Sequence, residues 1–312
     1  MFGNLLTASG LVRGSLTEAA DRETMKPAPF VYHAPTSIGE VTSLLHEHGD
    51  DAKVLAGGQS LVPMLALRLT RFDHLVDVNR VTGLAGVARS DGGVRVGATT
   101  RQCALAIDPD IIERVPLLAI ATPYIGHFQI RNRGTIGGSL VHADPAAEYP
   151  AVALALDARF ELTSSNGVRA VDARDFFEGT WTTAALPGEL LTAVEFPVWG
   201  PTAGFAVHEI ARRHGDFALV GAVAGIEVRN GTVTKAAIAV FGVGPTAVRA
   251  TDAEAALLAG ELDATEIGRR AAASVRPSED AHATAAYRTH ALRVLVARAV
   301  TDARAEALRE RT

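Results

Sequence analysis

Two long apolar runs flank an Asn-Gly pair, and this arrangement restricts the fold more than any other feature of the sequence. The runs cover residues 219–228 and 232–241, and Asn230-Gly231 lies between them. Asn-Gly readily adopts the backbone angles of the tight turns that join neighbouring antiparallel strands. The sequence therefore predicts a long β-hairpin in the second half of the chain.

The other predicted elements do not alternate in the way a doubly wound parallel sheet requires. A capping box at Ser37 begins a helix that ends at Gly49, and a second helix is expected from Pro63. Further strands are predicted over 52–55, 75–78, 94–96, 159–163 and 194–197, and helices over 146–156, 265–275, 283–307 and from a cap at Asp252. The order indicates a mixed α+β protein.

Length and composition exclude several classes of protein. The 312 residues suffice for about two domains, and Gly200, Pro201 and Gly204 mark a border near residue 201. One cysteine, Cys103, excludes a disulfide scaffold and an iron–sulfur cluster held by this chain alone, which needs about four thiolates. A net charge of −5 without basic clusters argues against binding to nucleic acid.

The ends and apolar runs of the chain give an expectation about its location. No uninterrupted apolar run approaches the ~18–20 residues that span a bilayer, so no membrane span is expected. The first 24 residues lack the pattern of a secretory signal, which favours a cytoplasmic protein. We expect residues 1–24 to form a poorly packed extension, with an ordinary domain beginning at Met25.

Two glycine-rich loops are the strongest candidates for a binding site. The first is Ala56-Gly57-Gly58-Gln59-Ser60 and the second is Thr135-Ile136-Gly137-Gly138-Ser139. Glycine lets the backbone approach a ligand closely and point successive N–H groups at an anion. Each loop alone also fits a structural turn, but two such loops suit a ligand with two phosphates, which is a dinucleotide.

Other candidate motifs are weaker. Residues 242–247 imitate a Rossmann fingerprint, but Pro245 removes a backbone donor, so a structural turn is favoured. His142 and Asp144 follow the second loop and could orient a group there. Glu148 could accept from sugar or ribityl hydroxyls, or could be a solvated acid at a helix start. The ten histidines contain no H-E-x-x-H and no zinc-type spacing, so no metal site is expected.

Several spaced motifs together resemble one family. These are residues 56–63, 130–139, 142–148, 212–218 and 287–290, and the resemblance extends from about Met25 to the C-terminus. The chain resembles the FAD-binding medium subunits of molybdenum hydroxylases, such as carbon monoxide dehydrogenase, and the flavin domain of xanthine dehydrogenase. The resemblance implies a two-subdomain FAD-binding fold of the vanillyl-alcohol-oxidase (PCMH) type over 25–201 and a smaller α+β domain over 202–312.

The resemblance also implies roles for single residues. The two glycine-rich loops would cradle the FAD pyrophosphate, Glu148 would contact the ribityl or ribose region, and Ile125 would contact the adenine. Leu191 would line the flavin ring, and Phe217 would stand at an aromatic position near the isoalloxazine. Glu148 occupies a position that is usually Asp, and Gln59 one where His is frequent. The implied FAD-binding residues are Leu55, Ala56, Gly57, Gly58, Gln59, Ser60, Leu61, Ile125, Thr135, Gly137, Gly138, Ser139, Glu148, Leu191 and Phe217.

The implied function is that of an electron relay without a catalytic acid or base on this chain. A [2Fe–2S] small subunit would deliver electrons from a molybdopterin-binding large subunit, in a complex that is commonly a heterohexamer. The FAD would pass them to NAD, a quinone or oxygen. A self-sufficient FAD-dependent oxidoreductase and a non-catalytic dinucleotide-binding module are the two alternatives.

Overall fold

The computed structural model describes residues 26–309, so the extension expected over 1–24 lies outside the described residues. The strands are β1 Val31–His33, β2 Ala52–Leu55, β3 His74–Asp77, β4 Val87–Ser90, β5 Gly93–Gly97, β6 Arg159–Ser164, β7 Gly167–Asp172, β8 Phe177–Gly179, β9 Thr182–Thr183, β10 Leu190–Pro197, β11 Ala203–Ile210, β12 Val220–Arg229, β13 Thr232–Phe241 and β14 Val248–Arg249. The helices are α1 Ile38–His48, α2 Leu61–Ala66, α3 Gln102–Leu105, α4 Pro109–Arg114, α5 Pro116–Ala121, α6 Phe128–Arg133, α7 Ile136–His142, α8 Glu148–Ala155, α9 Ala173–Phe176, α10 Thr251–Leu258, α11 Ala264–Ala273 and α12 Ala285–Ala307.

A small parallel sheet in the order β1-β3-β2 forms the beginning of the described chain. Helix α1 has the predicted bounds. The Ser37 hydroxyl accepts from the Glu40 amide at 3.2 Å, the Glu40 carboxylate accepts from the Thr36 amide at 2.7 Å, and Gly49 ends the helix at a φ of +51°.

Helix α2 begins at Leu61, two residues before the predicted start at Pro63. The Val62 amide donates to the carbonyl of Gly58 at 3.0 Å, which starts the helical bonding inside the glycine-rich loop. Proline is tolerated in a first helical turn because the amide it lacks would have no partner within the helix. The first loop and helix α2 are therefore continuous.

A five-stranded antiparallel sheet follows, in the order β4-β5-β10-β6-β7. Helices α5, α7 and α8 bury their apolar residues in the core that this sheet shares with its surroundings. Phe160 and Phe176 stack in this core with ring centroids 4.0 Å apart, and the buried hydroxyls of Thr122 and Tyr149 lie 2.8 Å apart. The core is closely packed and holds the second glycine-rich loop on one side.

The third sheet has the order β11-β12-β13-β14 and contains the predicted hairpin. Asn230 and Gly231 have φ angles of +51° and +78°, as the Asn-Gly pair predicts. Helices α10, α11 and α12 cover one face of this sheet. Asp252 does not cap α10. Ala250 precedes the helix and donates its amide to the carbonyl of Ile238 on β13 at 2.8 Å, so the helix begins where the chain leaves strand β14.

The other face of the third sheet packs against the N-terminal half of the chain. Val207, Val223 and Phe241 belong to the same buried core as helices α5, α7 and α8, and α8 contacts β12 and β13. The Gly242 amide donates to Pro145 at 2.8 Å, and its carbonyl accepts from Arg288 at 2.8 Å. Gly242 is therefore bonded within the protein on both sides, in agreement with the structural turn that the sequence favours over 242–247. Within residues 26–309, no helix is long and apolar enough to cross a membrane.

Candidate functional site

The two glycine-rich loops, far apart in sequence, lie side by side in the fold. A methyl group added to Gly57 would stand 2.5 Å from the carbonyl oxygen of Arg133 and 2.8 Å from the Cα of Gly134. One added to Gly138 would stand 3.6 Å from the Cβ of Ala56. The absence of a side chain at Gly57 therefore allows the first loop to touch the residues that lead into the second, whereas a methyl group on Gly138 would make only an ordinary contact with Ala56.

Asn79 and Arg101 hold the two loops together. The Asn79 side-chain amide donates to the carbonyl of Ala56 at 2.8 Å, and the Arg101 guanidinium donates to the Asn79 amide oxygen at 2.6 Å and to the carbonyl of Arg133. Burial lowers the pKa of Arg101 from its ordinary value, and the nearby Arg133 adds to the effect. Sequence reasoning missed both residues, because single polar side chains outside a motif give no local signal.

The first loop offers unused donors. Among residues 26–309, no partner is found for the amides of Gly58, Gln59 and Ser60, and the Ser60 hydroxyl makes no capping bond. Gly58 has a φ of +73°, which glycine adopts without strain. The Gln59 side chain folds back and donates to the carbonyl of Gly57 at 3.1 Å. The loop fits the N–H cradle that the sequence predicts.

The second loop is built differently from its prediction. The amides of Ile136, Gly137 and Ser139 donate to the carbonyls of Thr100, Ala98 and Thr135 at 3.1, 2.8 and 3.1 Å. The Gly138 amide donates to the hydroxyl of Thr135 at 3.0 Å. Because these four N–H groups already have partners, the second loop cannot act as a nest of free amides.

The second loop has a buried part and a half-buried part. Thr135 and Gly137 are buried, and a methyl group on Gly137 would stand 2.7 Å from both the Cβ and the carbonyl oxygen of Ala98. Gly138 and Ser139 are half-buried, so their outer surface is open beside the first loop. Thr135 and Gly137 fix this segment, and Gly138 and Ser139 form its outer surface.

Three leucines near the two loops differ in burial: Leu55, Leu61 and Leu191. Leu55 ends strand β2 and Leu61 begins helix α2, so both flank the first loop, and both are half-buried. Leu191 is 5% exposed and pairs with Leu162 across β10 and β6. The carbonyl of the next residue, Thr192, accepts from the Ala98 amide, and the Ala98 carbonyl accepts from the Gly137 amide of the second loop. Leu191 therefore lies on the strand that is connected to the second loop through Ala98.

Glu148 is a buried acid at the first residue of α8. Its side chain is 7% exposed, so it is not a solvated acid at a helix start. Burial, assisted by the nearby negative charges of Glu209 and Asp144, raises the pKa of Glu148 to about 8. At neutral pH the Glu148 carboxyl therefore carries a proton and can donate as well as accept a hydrogen bond.

Glu209 on β11 is the second carboxyl in this region. Burial raises its pKa to about 7, and its Oε2 atom has no hydrogen-bond partner among the described residues. Because Glu148 and Glu209 come from different halves of the chain, the pair marks the junction between them. No local sequence pattern points to Glu209.

Ile125 and Phe217 lie in segments through which the C-terminal half of the chain contacts the N-terminal half. Ile125 is 9% exposed, and Arg131 donates to its carbonyl at 2.9 Å. A methyl group on Gly215 would stand 2.6 Å from the ring of His127, so the segment before Phe217 packs on the chain that follows Ile125. Phe217 itself is 69% exposed, which leaves its ring free for a contact outside the chain.

His142 and Asp144 make local contacts with Trp181, which sequence reasoning missed. Asp144 accepts from the Ala146 amide at 2.9 Å and from the Trp181 indole at 3.4 Å. The His142 ring stacks on the indole with centroids 6.3 Å apart, and burial lowers the pKa of His142. These two residues thus orient an exposed tryptophan after the second loop.

Away from the loops, the fold brings together three histidines that no spacing motif predicted. His33, His48 and His74 each offer a ring nitrogen, and these atoms all lie within 4.8 Å of one another. They come from β1, from the end of α1 and from the start of β3, so only the tertiary fold makes them neighbours.

The donors at the joined loops fit FAD. A pyrophosphate needs several hydrogen-bond donors and little side-chain bulk, and the unused amides of 58–60, the Ser60 and Ser139 hydroxyls and the small glycines provide both. The guanidinium groups of Arg101 and Arg133 bring positive charge to the same place. Arginine and backbone N–H groups could therefore bind the pyrophosphate without a lysine.

Comparisons with known proteins identify the family of the chain. The family model for the FAD binding domain in molybdopterin dehydrogenase matches residues 26–199, and that for the CO dehydrogenase flavoprotein C-terminal domain matches residues 205–303. The chain is 42% identical over 283 residues to the 6-hydroxypseudooxynicotine dehydrogenase complex subunit alpha of Paenarthrobacter nicotinovorans, with 89% of this chain and 96% of that protein covered. It is 38% identical over 282 residues to the carbon monoxide dehydrogenase medium chain of Hydrogenophaga pseudoflava, with 89% and 98% covered.

Solved structures give the same result for the fold. The carbon monoxide dehydrogenase structure from Hydrogenophaga pseudoflava matches with a TM-score of 0.86 at 40% identity, covering 90% of this chain and 99% of that one. Quinoline 2-oxidoreductase from Pseudomonas putida 86 matches with a TM-score of 0.86 at 36% identity, covering 91% and 100%. The two-part α+β fold and the FAD cofactor predicted from the sequence are confirmed. The chain belongs to the family of FAD-binding medium subunits of molybdopterin-dependent dehydrogenases.

Proposed function

We propose that the chain is the electron-transfer subunit of a heteromeric molybdenum hydroxylase. In this role it accepts electrons from [2Fe–2S] clusters of a small subunit, passes them to NAD, a quinone or oxygen, and works beside a molybdopterin-binding large subunit. Two observations support the proposal. Its relatives are named as a complex subunit or a medium chain, and the single Cys103 is too few for a cluster of its own.

The first loop is proposed to bind the FAD pyrophosphate through its amides, and the second to support it. This division rests on the unused N–H groups of Gly58, Gln59 and Ser60 and on the occupied N–H groups of 136–139. Gly57 lets the two segments approach each other, and Leu55 and Leu61 flank the cradle.

The remaining predicted contacts are proposals of the same kind. Glu148 would meet a ribityl or ribose hydroxyl, and its protonated carboxyl would donate as well as accept. Leu191 would line the flavin ring, Ile125 would contact the adenine, and the exposed Phe217 would lie near the isoalloxazine.

FAD, when bound, supplies the ability to take up two electrons and release them singly or in pairs. This chain's residues hold and orient it. Phe217 has no hydroxyl, so it can shield but cannot move a proton. Glu148 holds a proton in a buried position, so it would add no negative charge to the site.

We propose that the chain is part of a heterohexamer and that this complex lies in the cytoplasm. Residues 25–201 would form the FAD-binding domain and residues 202–312 the C-terminal domain. The family models over 26–199 and 205–303 support this division.

The joined glycine-rich loops carry the proposal, and FAD affinity tests them. Gly58→Ala is expected to weaken FAD binding at least about tenfold, because a side chain at a φ of +73° would strain and narrow the cradle. Gly83→Ala is the matched control. Gly83 has a φ of +81° and nothing within 4 Å of an added methyl group, so the same strain arises away from the loops. Equal FAD affinity in the two variants, measured by flavin fluorescence, would contradict the proposal.

The electron-transfer role is tested on the complex from its natural host. Purification through a tag on this chain should yield a large subunit with molybdopterin, a small subunit with iron and sulfide, and FAD on this chain. The intact complex should reduce an acceptor, and the isolated FAD-loaded chain should not oxidise the complex's substrate. Turnover by the isolated chain would favour a self-sufficient oxidoreductase instead.

A further inference from the structure

A cluster of three histidines lies on the parallel sheet, with His74 at the end of the sheet opposite the first glycine-rich loop and His33 two residues nearer to that loop. His33 Nε2 and His74 Nδ1 are 2.9 Å apart, and the rings of His48 and His74 stack with centroids 3.7 Å apart. All three side chains are half-buried. Ring nitrogens from three separate elements, gathered within 4.8 Å, form a compact set of donors.

The fold fixes the positions of these three residues. His74 begins β3 and aligns in register with Val31 of β1 on one side and Ala52 of β2 on the other. His33 ends β1, and His48 occupies the last turn of α1, which packs on this sheet. The donors therefore depend on paired strands and a capped helix rather than on a loose loop.

We propose that His33, His48 and His74 bind a divalent transition-metal ion, with zinc as the preferred ion. Three imidazoles with no carboxylate or thiolate among them suit zinc, copper or nickel rather than magnesium or calcium. Three protein ligands leave the fourth tetrahedral position to water.

The electrostatic surroundings favour a cation there. The C-terminal end of α1 carries the negative end of the helix dipole beside His48. Glu47 adds a negative charge near His33.

Coordination requires one local adjustment. The planes of the His48 and His74 rings are inclined by only 7°, so their in-plane lone pairs do not both point at one position. Rotation of one ring about its χ2 angle is sufficient, because χ2 of histidine is a broad torsion. The bound ion would replace the hydrogen bond between His33 Nε2 and His74 Nδ1.

A metal at this place would stabilise the sheet that presents the first loop. Strand β2 begins beside His74 and ends at Leu55, where the loop starts. Binding only to the folded chain raises its stability in proportion to the logarithm of the free metal concentration. The site is separate from the FAD-binding loops, so its failure would leave the proposed FAD function untouched.

Isothermal titration of the untagged, chelator-treated full chain with Zn²⁺ tests the proposal. We expect one ion per chain and a higher melting temperature with Zn²⁺. His48→Gln and His74→Gln are each expected to weaken binding at least about tenfold and to abolish the thermal shift. His46→Gln is the matched control, since His46 is exposed on the same helix and lies outside the cluster.

A second measurement keeps the test decisive if a variant fails to fold. Co²⁺ added to the wild-type chain and to His46→Gln should give the same intense visible bands of a tetrahedral site, displaced by one equivalent of Zn²⁺. FAD content reports whether each variant is folded. Absence of saturable Zn²⁺ binding to the wild-type chain, or equal weakening by His46→Gln and His48→Gln, would overturn the proposal.

Discussion

The two glycine-rich loops share a sequence signature but use their backbone in opposite ways. Each has paired glycines and a nearby serine. In the first loop the amides of 58–60 have no partner among residues 26–309, whereas in the second the amides of 136–139 are all engaged. A glycine pair can therefore either expose N–H groups to a ligand or allow two backbones to pack closely.

The neighbours of each loop explain the difference. The first loop leaves β2, an edge strand of the parallel sheet, so no further strand takes up its amides. The second loop runs beside Ala98 and Thr100, whose carbonyls accept its N–H groups. An edge leaves backbone donors available, and an interior position uses them.

The largest expected effect separates packing from ligand binding. Gly137→Ala would press a methyl group against the backbone of Ala98, so we expect the free energy of unfolding to fall by about 1–3 kcal/mol even without FAD. Urea unfolding of the FAD-free chain measures this. Gly39→Ala is the control, because nothing lies within 4 Å of a methyl group there. If Gly137→Ala and wild type had the same free energy of unfolding, the packing role inferred for the second loop would be contradicted.

The buried carboxyl that follows the second loop should make stability depend on pH. The folded-state pKa of Glu148, about 8, lies above its ordinary value of 4.5, so its contribution is complete below about pH 4.5 and is lost as the pH rises toward 8. Glu209, with a pKa of about 7, acts in the same direction over a narrower range.

We therefore expect the free energy of unfolding to fall by about 1 kcal/mol between pH 7 and 8, and Glu148→Gln to remove most of this decline. Denaturant unfolding at a series of pH values measures it. Glu178→Gln, at an exposed position, should behave as wild type. A decline that persists in Glu148→Gln would show that another group causes it.

The smallest expected effects compare one hydroxyl from each loop. Thr135→Ala removes a helix cap, so we expect a loss of about 1 kcal/mol in stability. Ser60→Ala removes an uncommitted hydroxyl, so we expect unchanged stability and FAD binding weakened by about fivefold. Chemical unfolding and flavin titration of both variants give the two readouts. The opposite pattern would reverse the roles assigned to the loops.

Local chemistry made much of the fold predictable. Asn230-Gly231 formed the expected hairpin, and Ser37 and Gly49 bound helix α1 as predicted, because turns and caps are decided by a few adjacent residues. The predicted starts of α2 at Pro63 and of α10 at Asp252 were wrong. Hydrogen bonds to the carbonyls of Gly58 and Ile238 determine where these helices begin, and the local patterns do not include those carbonyls.

Distant contacts decided the rest of the site. The glycine pattern identified both loops but not the carbonyls of Ala98 and Thr100 that occupy the second one. Arg101 and Asn79, which join the loops, and Glu209, which lies near Glu148, carry no motif. The three clustered histidines likewise meet only through strand pairing and helix packing.

Hydrogen–deuterium exchange with and without FAD tests the contrast between the loops most directly. The account predicts that FAD strongly slows exchange of the amides of 58–60, which lack partners in the folded chain. The amides of 136–139 should exchange slowly in both states, since they already donate within the protein. Fast exchange at 136–139 that becomes slow on FAD binding, with no change at 58–60, would contradict the account.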